Sequence, residues 1–217
     1  TPFGPTPTPG GGMQCMTSVA VIEECAVAGN ANGIPPNCPL GINQGIDEIK
    51  NETGIDIIFQ LFRDNSTAAD WQEYFDIANT KNVQVLISLL EADNSTPVCQ
   101  DHPDNDGDGF GDTTCDLASV QTSFLNWYRN NRTRYQYPVG HKFNEVLYGF
   151  LIIDEPWEDW VAGDTNTIDA EGLRDMYSKA KAIVDVPMGV GWSKELSLGA
   201  YSGPELRFSD GMADFHL

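Results

Sequence analysis

Residues 54–62, GIDIIFQLF, decide the fold class together with the two segments that follow them. Their nearly continuous apolar run is typical of a strand that is covered on both faces of a sheet. Residues 70–81 then carry an apolar stripe at helical spacing, made of Trp71, Tyr74, Phe75 and Ala78. Residues 83–90, VQVLISLL, indicate a second buried strand. Strand, helix and strand in this order predict parallel strands joined by a crossover helix, and hence an α/β fold.

The same alternation continues along the chain. Further strands are predicted at residues 18–22, 146–153, 188–192 and 212–217, and further helices at residues 42–51, 117–129 and 171–184. Six strands in this alternation fit a (β/α)8 barrel of the TIM type or an open, doubly wound sheet. No turn after a strand has the G-x-G-x-x-G or G-K-[ST] pattern of a nucleotide-binding sheet. We therefore expect a TIM-barrel-like domain over residues 14–217, with about six of its eight strands present.

The charge balance excludes two classes of partner. The chain has 217 residues, with 12 Lys and Arg against 32 Asp and Glu, and its formal net charge is −20. Nucleic-acid binding depends on basic side chains that release counterions from phosphates, so we expect no nucleic-acid partner. The same charge argues against docking on an anionic membrane surface. No apolar run approaches the roughly 18 residues of a transmembrane helix.

Several features indicate a secreted, extracellular protein. Residues 1–13 are rich in Pro, Thr and Gly, which predicts an extended linker or an arm that docks on a neighbouring subunit. The chain begins with Thr1 without a signal peptide, so we expect that any leader has been removed or omitted. Four N-x-S/T sequons favour a glycoprotein. They begin at Asn51, Asn65, Asn94 and Asn131.

The five cysteines fit the same compartment. Cys99 and Cys115 flank an acidic, glycine-rich loop, and we predict a disulfide across it. Cys15, Cys25 and Cys38 lie near the N-terminus, where Cys25 and Cys38 are the expected pair and the pairing of Cys15 stays open. The alternative is a cytosolic protein with five reduced cysteines.

Residues 104–112 carry the motif D-x-D-x-D-G-x-x-D, which resembles the first nine positions of EF-hand and thrombospondin type 3 calcium loops. Alternating carboxylates converge on one cation because the glycine permits a sharp turn. Position twelve of those loops is acidic, but here it is Cys115, so the last carboxylate requires a shift of one residue. The predicted ligands of a structural Ca²⁺, in an insertion at residues 97–116, are Asp104, Asp106, Asp108, the carbonyl of Phe110, Asp112 and Asp116. The alternative is a solvated acidic loop.

Carboxylates and aromatic residues follow the predicted strands. The active site of a (β/α)8 barrel lies at the carboxyl ends of its strands. A protonated carboxyl group can donate to the leaving oxygen in glycoside cleavage, and aromatic faces stack on sugar rings. Carbohydrate is therefore the expected ligand. The residues at these positions include Glu91, Asp154, Glu155, Trp157, Trp192 and His216.

Residues 151–157, LIIDEPW, resemble the end of the fourth strand in clan A glycoside hydrolases. These are (β/α)8 enzymes in which an Asn-Glu-Pro triplet supplies the acid/base glutamate. Residues 46–62 resemble their first helix and second strand, residues 74–89 their next helix and third strand, and residues 211–217 a sixth strand.

The resemblance implies roles for single residues. Glu155 would be the acid/base, with Asp154 beside it in the catalytic triplet. Trp157 and Trp192 would be sugar platforms. His216 would bind substrate or support a residue that does, and Glu91 is a further expected substrate contact.

Two departures from the clan A pattern leave other functions open. Asp154 replaces the family's Asn, and an ionised carboxylate can only accept hydrogen bonds from the sugar. The family's nucleophile lies on a seventh strand, which we expect beyond Leu217 because a complete barrel usually takes about 250 residues. The alternative function is a non-catalytic extracellular structural glycoprotein that forms a homo-oligomer or filament through its arm or barrel surface. A carbohydrate-binding barrel without turnover is a third reading.

Overall fold

The computed structural model describes the chain in eleven stretches. They are residues 14–15, 20–22, 46–47, 50–51, 54, 56–62, 66–89, 98–101, 113–153, 170–190 and 213–216. The predicted arm at residues 1–13 lies outside them.

Nine strand segments occur in the described part of the chain, and seven of them form one sheet. In chain order they are β1 (Gln14–Cys15), β2 (Ala20–Ile22), β3 (Ile57–Leu61), β4 (Gln84–Ser88), β5 (Val98–Asp101), β6 (Thr113–Asp116), β7 (Leu147–Ile153), β8 (Met188–Val190) and β9 (Phe215–His216). The sheet has the order β1-β9-β8-β7-β4-β3-β2, and all its neighbours are parallel. The predicted α/β class with a parallel sheet is therefore confirmed.

Three α-helices lie between the strands in the described residues. They are α1 (Ala68–Lys81), α2 (Ser119–Asn131) and α3 (Ala170–Ile183), and a 3-10 helix, Arg132–Tyr135, follows α2 directly. Residues 46–47 and 50–51, within the helix predicted at 42–51, are also helical. None of the helices in these stretches combines the length and the apolar character that a membrane span requires.

Helix α1 begins two residues earlier than the apolar stripe predicts because Thr67 caps it. The Thr67 hydroxyl accepts a hydrogen bond from the Asp70 amide, and the Asp70 carboxylate accepts one from the Thr67 amide at 2.7 Å. This reciprocal pair is a capping box, which satisfies two of the amides that a helix start leaves free. The helix ends where Asn82 adopts a left-handed conformation with φ of 54°.

The described helices pack on one face of the sheet. Side chains of a strand alternate between the two faces. Ile58, Ile87 and Phe150 belong to the same buried cluster as helix residues Tyr74 and Phe124. On the opposite face, Phe59, Leu86 and Leu151 form a second buried cluster, to which only strand residues contribute among those described. A (β/α) barrel has its helices on the outer face of the sheet, and in the described residues the helices lie on one face only.

The strand order also bears on the choice between a barrel and a doubly wound sheet. From β2 through β9 the order never reverses, whereas a doubly wound sheet reverses at its switch point. The first predicted strand, residues 18–22, corresponds to β2 (Ala20–Ile22), which pairs with β3. A further segment that the sequence did not indicate, β1 (Gln14–Cys15), pairs with β9 at the opposite end of the order. Closure of an eight-stranded barrel stays a prediction.

The insertion predicted at residues 97–116 contains regular structure that the sequence did not indicate. Strands β5 and β6 pair antiparallel, with Cys99 opposite Cys115, and form what we call the β5–β6 hairpin. The two cysteines are joined by a disulfide, as predicted. Cys115 is fully buried in the helix-side cluster, so the bridge ties the insertion to the core.

Candidate functional site

The strands β3, β4, β7, β8 and β9 run in the same direction, so their last residues meet along one side of the sheet, which we call the carboxyl edge. Ligands of parallel α/β proteins bind at this edge, where the chain leaves the strands in loops. Strand β7 is central here, because it pairs with β4 on one side and with β8 on the other.

The predicted catalytic residues follow β7 without interruption. Asp154 and Glu155 are the first two residues after Ile153, the last residue of β7. Ile153 is paired with Val190 of β8, so Glu155 and Trp192 each come two residues after a paired position. The described residues do not include Asp154, Glu155, Trp157 or Trp192.

Two further predicted substrate contacts are related in sequence to β9 and β4. His216 is the last residue of β9 and is paired with Val190, which places it along the same edge. Glu91 comes three residues after Ser88, and Ser88 is paired with Leu151, three residues before Asp154. Glu91 itself lies outside the described residues.

Ser88 ends β4 directly beneath this edge, and sequence reasoning missed it. Its side chain is fully buried and, among the described residues, its hydroxyl has no hydrogen-bond partner. Strand alternation puts it on the same face as Leu86, the face opposite the helices. A signal was present in the sequence, since Ser88 is the polar residue in the apolar run of residues 85–90.

Gln121 binds the backbone near the end of β7 from the side of the sheet on which the helices pack. The sequence did not indicate a role for this residue. This fully buried residue lies at the start of α2. Its amide nitrogen donates to the carbonyl of Ile152 (2.5 Å), and its amide oxygen accepts from the backbone N–H of Ala118 (2.9 Å). Its side chain therefore connects the beginning of one helix to the end of the strand that leads into Glu155.

The β5–β6 hairpin is docked on α3 by charged side chains. Asp175 accepts a hydrogen bond from the backbone N–H of Cys115 (3.0 Å), and Lys179 donates to the carbonyl of Cys115 (3.0 Å). Lys179 also forms ion pairs of 2.8 Å with Asp116 and with Asp175. Burial alone would lower the pKa of Lys179, but its hydrogen bonds to Asp116 and Asp175 raise it. Lys179 therefore stays charged and fixes the base of the hairpin.

Most of the predicted calcium ligands lie outside the described residues, in the sequence between β5 and β6. They are Asp104, Asp106, Asp108, Phe110 and Asp112. Asp116 is described, and its carboxylate pairs with Lys179 while 78% of the side chain remains exposed. Within the described stretches, no group of three or more His, Cys, Asp or Glu side chains is arranged to hold a metal ion.

The sequons and the remaining cysteines are only partly described. Asn51 is helical and exposed. Asn131 ends α2, is half-buried, and donates a hydrogen bond from its side-chain amide to the carbonyl of Trp127 (2.8 Å). Cys15 belongs to β1, where it pairs in register with His216. Asn65, Asn94, Cys25 and Cys38 lie outside the description.

Comparisons with known proteins give no family assignment. No protein-family model matches the chain, and no curated protein matches it. Among solved structures, a GH30 endoxylanase from Clostridium papyrosolvens C71 superimposes on 79% of this chain and 40% of its own, with 12% sequence identity and a TM-score of 0.41. This chain thus corresponds to less than half of that protein, and at this level the likeness carries no argument about architecture or activity.

Proposed function

We propose that the protein is a secreted glycoside hydrolase-like protein that binds polysaccharide at the carboxyl edge of its sheet and uses Glu155 as acid/base. The observation that carries the proposal is that β7 is paired between β4 and β8 and that Asp154 and Glu155 follow β7 directly in the sequence. The strand register supports a single site. Glu155 and Trp192 each come two residues after the paired residues Ile153 and Val190, and Glu91 comes three residues after Ser88, which is paired with Leu151.

The architecture that we infer around this site is a (β/α)8-like barrel. It is supported by the one-way winding of β2 through β9 and by the strand-only cluster on the face opposite the helices. In such a barrel the carboxyl edge forms a concave mouth, where a polysaccharide reaches side chains from several strands.

The proposed chemistry is acid-assisted hydrolysis of a glycosidic bond, in which the oxygen of a water molecule replaces the leaving oxygen on the anomeric carbon. Glu155 in its protonated form donates to the leaving oxygen, and Trp157 and Trp192 stack on the rings of the sugar. Glu91 and His216 offer hydrogen-bonding groups for sugar hydroxyls, and Asp154 accepts hydrogen bonds from them.

The test is hydrolysis of β-linked oligosaccharides by the purified protein. Glu155→Gln should reduce kcat by about 10² to 10⁴-fold, because the amide cannot supply the proton. The matched control is Glu158→Gln, the same change three residues further along the chain, which should leave kcat near the wild-type value. Activity that is equal in wild type and Glu155→Gln, or absent in both, would remove the enzymatic proposal.

Secretion and glycosylation remain part of the proposal. They are supported by the four sequons and by the Cys99–Cys115 bridge, since structural disulfides persist mainly in oxidising compartments.

We also propose that the segment between β5 and β6 binds a structural Ca²⁺. Its ligands would be Asp104, Asp106, Asp108, the Phe110 carbonyl and Asp112. The ion pair with Lys179 makes Asp116 the least available of the predicted ligands, so water is the expected substitute in its place.

A non-catalytic structural glycoprotein is the second candidate. It is favoured by Asp154, which departs from the Asn of the clan A triplet. A wild-type protein that cleaves nothing but forms homo-oligomers or filaments would support this candidate, and a monomer at high concentration with calcium present would count against it.

A further inference from the structure

The end of strand β7 contains a bulge immediately before the proposed catalytic residues. Leu151 is paired with Gly189 and Ile153 with Val190, so two steps along β7 correspond to one step along β8. On the other side, the pairing with β4 ends at Leu151. Ile152 is thus the extra residue, and it has no register partner on either neighbouring strand.

A bulge of this kind changes the direction in which the following residues leave the strand. The conformation of the bulge must be held by bonds outside the ladder, because an extra residue cannot use the regular pairing. The carbonyl of Ile152 accepts a hydrogen bond from the side-chain amide of Gln121 at 2.5 Å. Ile152 and Gln121 are both fully buried, so water does not compete for this bond.

Gln121 is itself held in place at its other end. Its amide oxygen accepts from the backbone N–H of Ala118 at 2.9 Å, at the entrance of α2. The amide oxygen and the amide nitrogen of Gln121 are therefore both hydrogen-bonded, which restricts the orientation of the side chain. The rigid start of a helix is connected in this way to a point three residues before Glu155.

We propose that Gln121 is a positioning residue, which holds the Ile152 bulge and thereby aims the Asp154–Glu155 pair at the bound sugar. This inference rests on the proposed function. Gln121 acts through the backbone of β7 and has no contact with substrate. Loss of its amide donor should therefore misplace Glu155 and slow the chemical step while sugar binding by other residues persists.

The chain offers a matched control at the other end of the sheet. Gln84, the first residue of β4, also donates from its side-chain amide to a backbone carbonyl, that of Glu145, at 3.1 Å. Glu145 lies just before β7, at the edge opposite the proposed site. Gln84→Met removes the same type of bond as Gln121→Met, but far from Glu155 along the chain.

The experiment compares kcat and KM for oligosaccharide hydrolysis in wild type, Gln121→Met and Gln84→Met. We expect Gln121→Met to lower kcat by about 10- to 100-fold with KM nearly unchanged, the cost of a small misplacement of a catalytic group. Gln84→Met should keep the wild-type kcat. Gln121→Leu is the second variant, because its side chain also has no donor for the Ile152 carbonyl, and it should show the same loss of kcat.

Each outcome of this experiment supports or overturns the positioning role of Gln121. A folded Gln121→Met or Gln121→Leu with wild-type kcat would overturn the positioning role while the proposed function stands. If neither variant folds, Gln121 is a structural residue and the positioning role is likewise overturned. If the wild-type protein cleaves no oligosaccharide, the proposed function fails and the inference about Gln121 fails with it.

Discussion

Glu145 shows how single residues fix the amino-terminal side of β7. Its carboxylate accepts two hydrogen bonds from Arg132 and one from the Tyr128 hydroxyl, each at 2.8 Å, and its side chain is only 13% exposed. Bidentate pairs of this kind are stronger than ordinary hydrogen bonds. Burial, together with the neighbouring Glu145 carboxylate, raises the pKa of Tyr128, so the phenol remains a donor.

Glu145→Gln should therefore lower the free energy of unfolding by about 1 to 3 kcal/mol, because Arg132 loses its charged partner in a half-buried setting. Urea denaturation measures the change. The control is Asp185→Asn, which breaks the Lys181 ion pair of a residue that is 88% exposed and should cost about 1 kcal/mol or less. Equal losses in the two variants would contradict this account of Glu145.

Residues with long-range partners were the hardest to predict from the sequence. Gln121 and Ile152 are 31 positions apart, and nothing near either residue indicates the contact. Thr67 completes the sequon that begins at Asn65, and its spacing from Asp70 also fits a helix cap. The ends of the buried strands could be predicted, because apolar runs show where such strands stop. Ser88 and Gln121 could not be predicted, because polar residues inside apolar segments acquire their roles from tertiary packing.

At the scale of elements, the β5–β6 hairpin is the clearest difference between expectation and structure. Its strands are short and polar, as in Thr113–Asp116, so no alternating pattern predicts them. They are stabilised by the Cys99–Cys115 bridge and by the contacts of Asp175 and Lys179 on α3. The cysteine spacing predicted the bridge, but local propensity could not predict a hairpin whose stability comes from its neighbours.

The calcium proposal belongs to this element. At a Ca²⁺ concentration about 100 times Kd, the Tm should rise by about 5 to 10 °C, because the ion binds only the folded loop. Thermal denaturation with Ca²⁺ and with EGTA measures the shift. Asp108→Asn should abolish most of the shift, whereas Asp101→Asn, which changes an acidic residue of β5 outside the proposed ligand set, should preserve it. A Tm that is the same with Ca²⁺ and EGTA would remove the calcium site.

At the scale of the whole molecule, the sequence predicted the parallel α/β class because buried strands and amphipathic helices alternate regularly. Boundaries differ by a few residues, as for the strand predicted at residues 83–90 and found at Gln84–Ser88. The pairing of residues 14–15 with β9 could not be predicted, since pairing between distant segments leaves no periodic signal in either of them. The parallel sheet places the carboxyl ends of β4, β7, β8 and β9 along one edge, and most of the candidate residues follow these strand ends in the sequence.

The most direct test of the central claim is a crystal structure of Glu155→Gln with a bound β-linked oligosaccharide. The account predicts a sugar at the carboxyl edge, with residue 155 within about 3 Å of a glycosidic oxygen and with Trp157 or Trp192 stacked on a ring. An oligosaccharide bound elsewhere on the protein, with the carboxyl edge free of sugar, would contradict it.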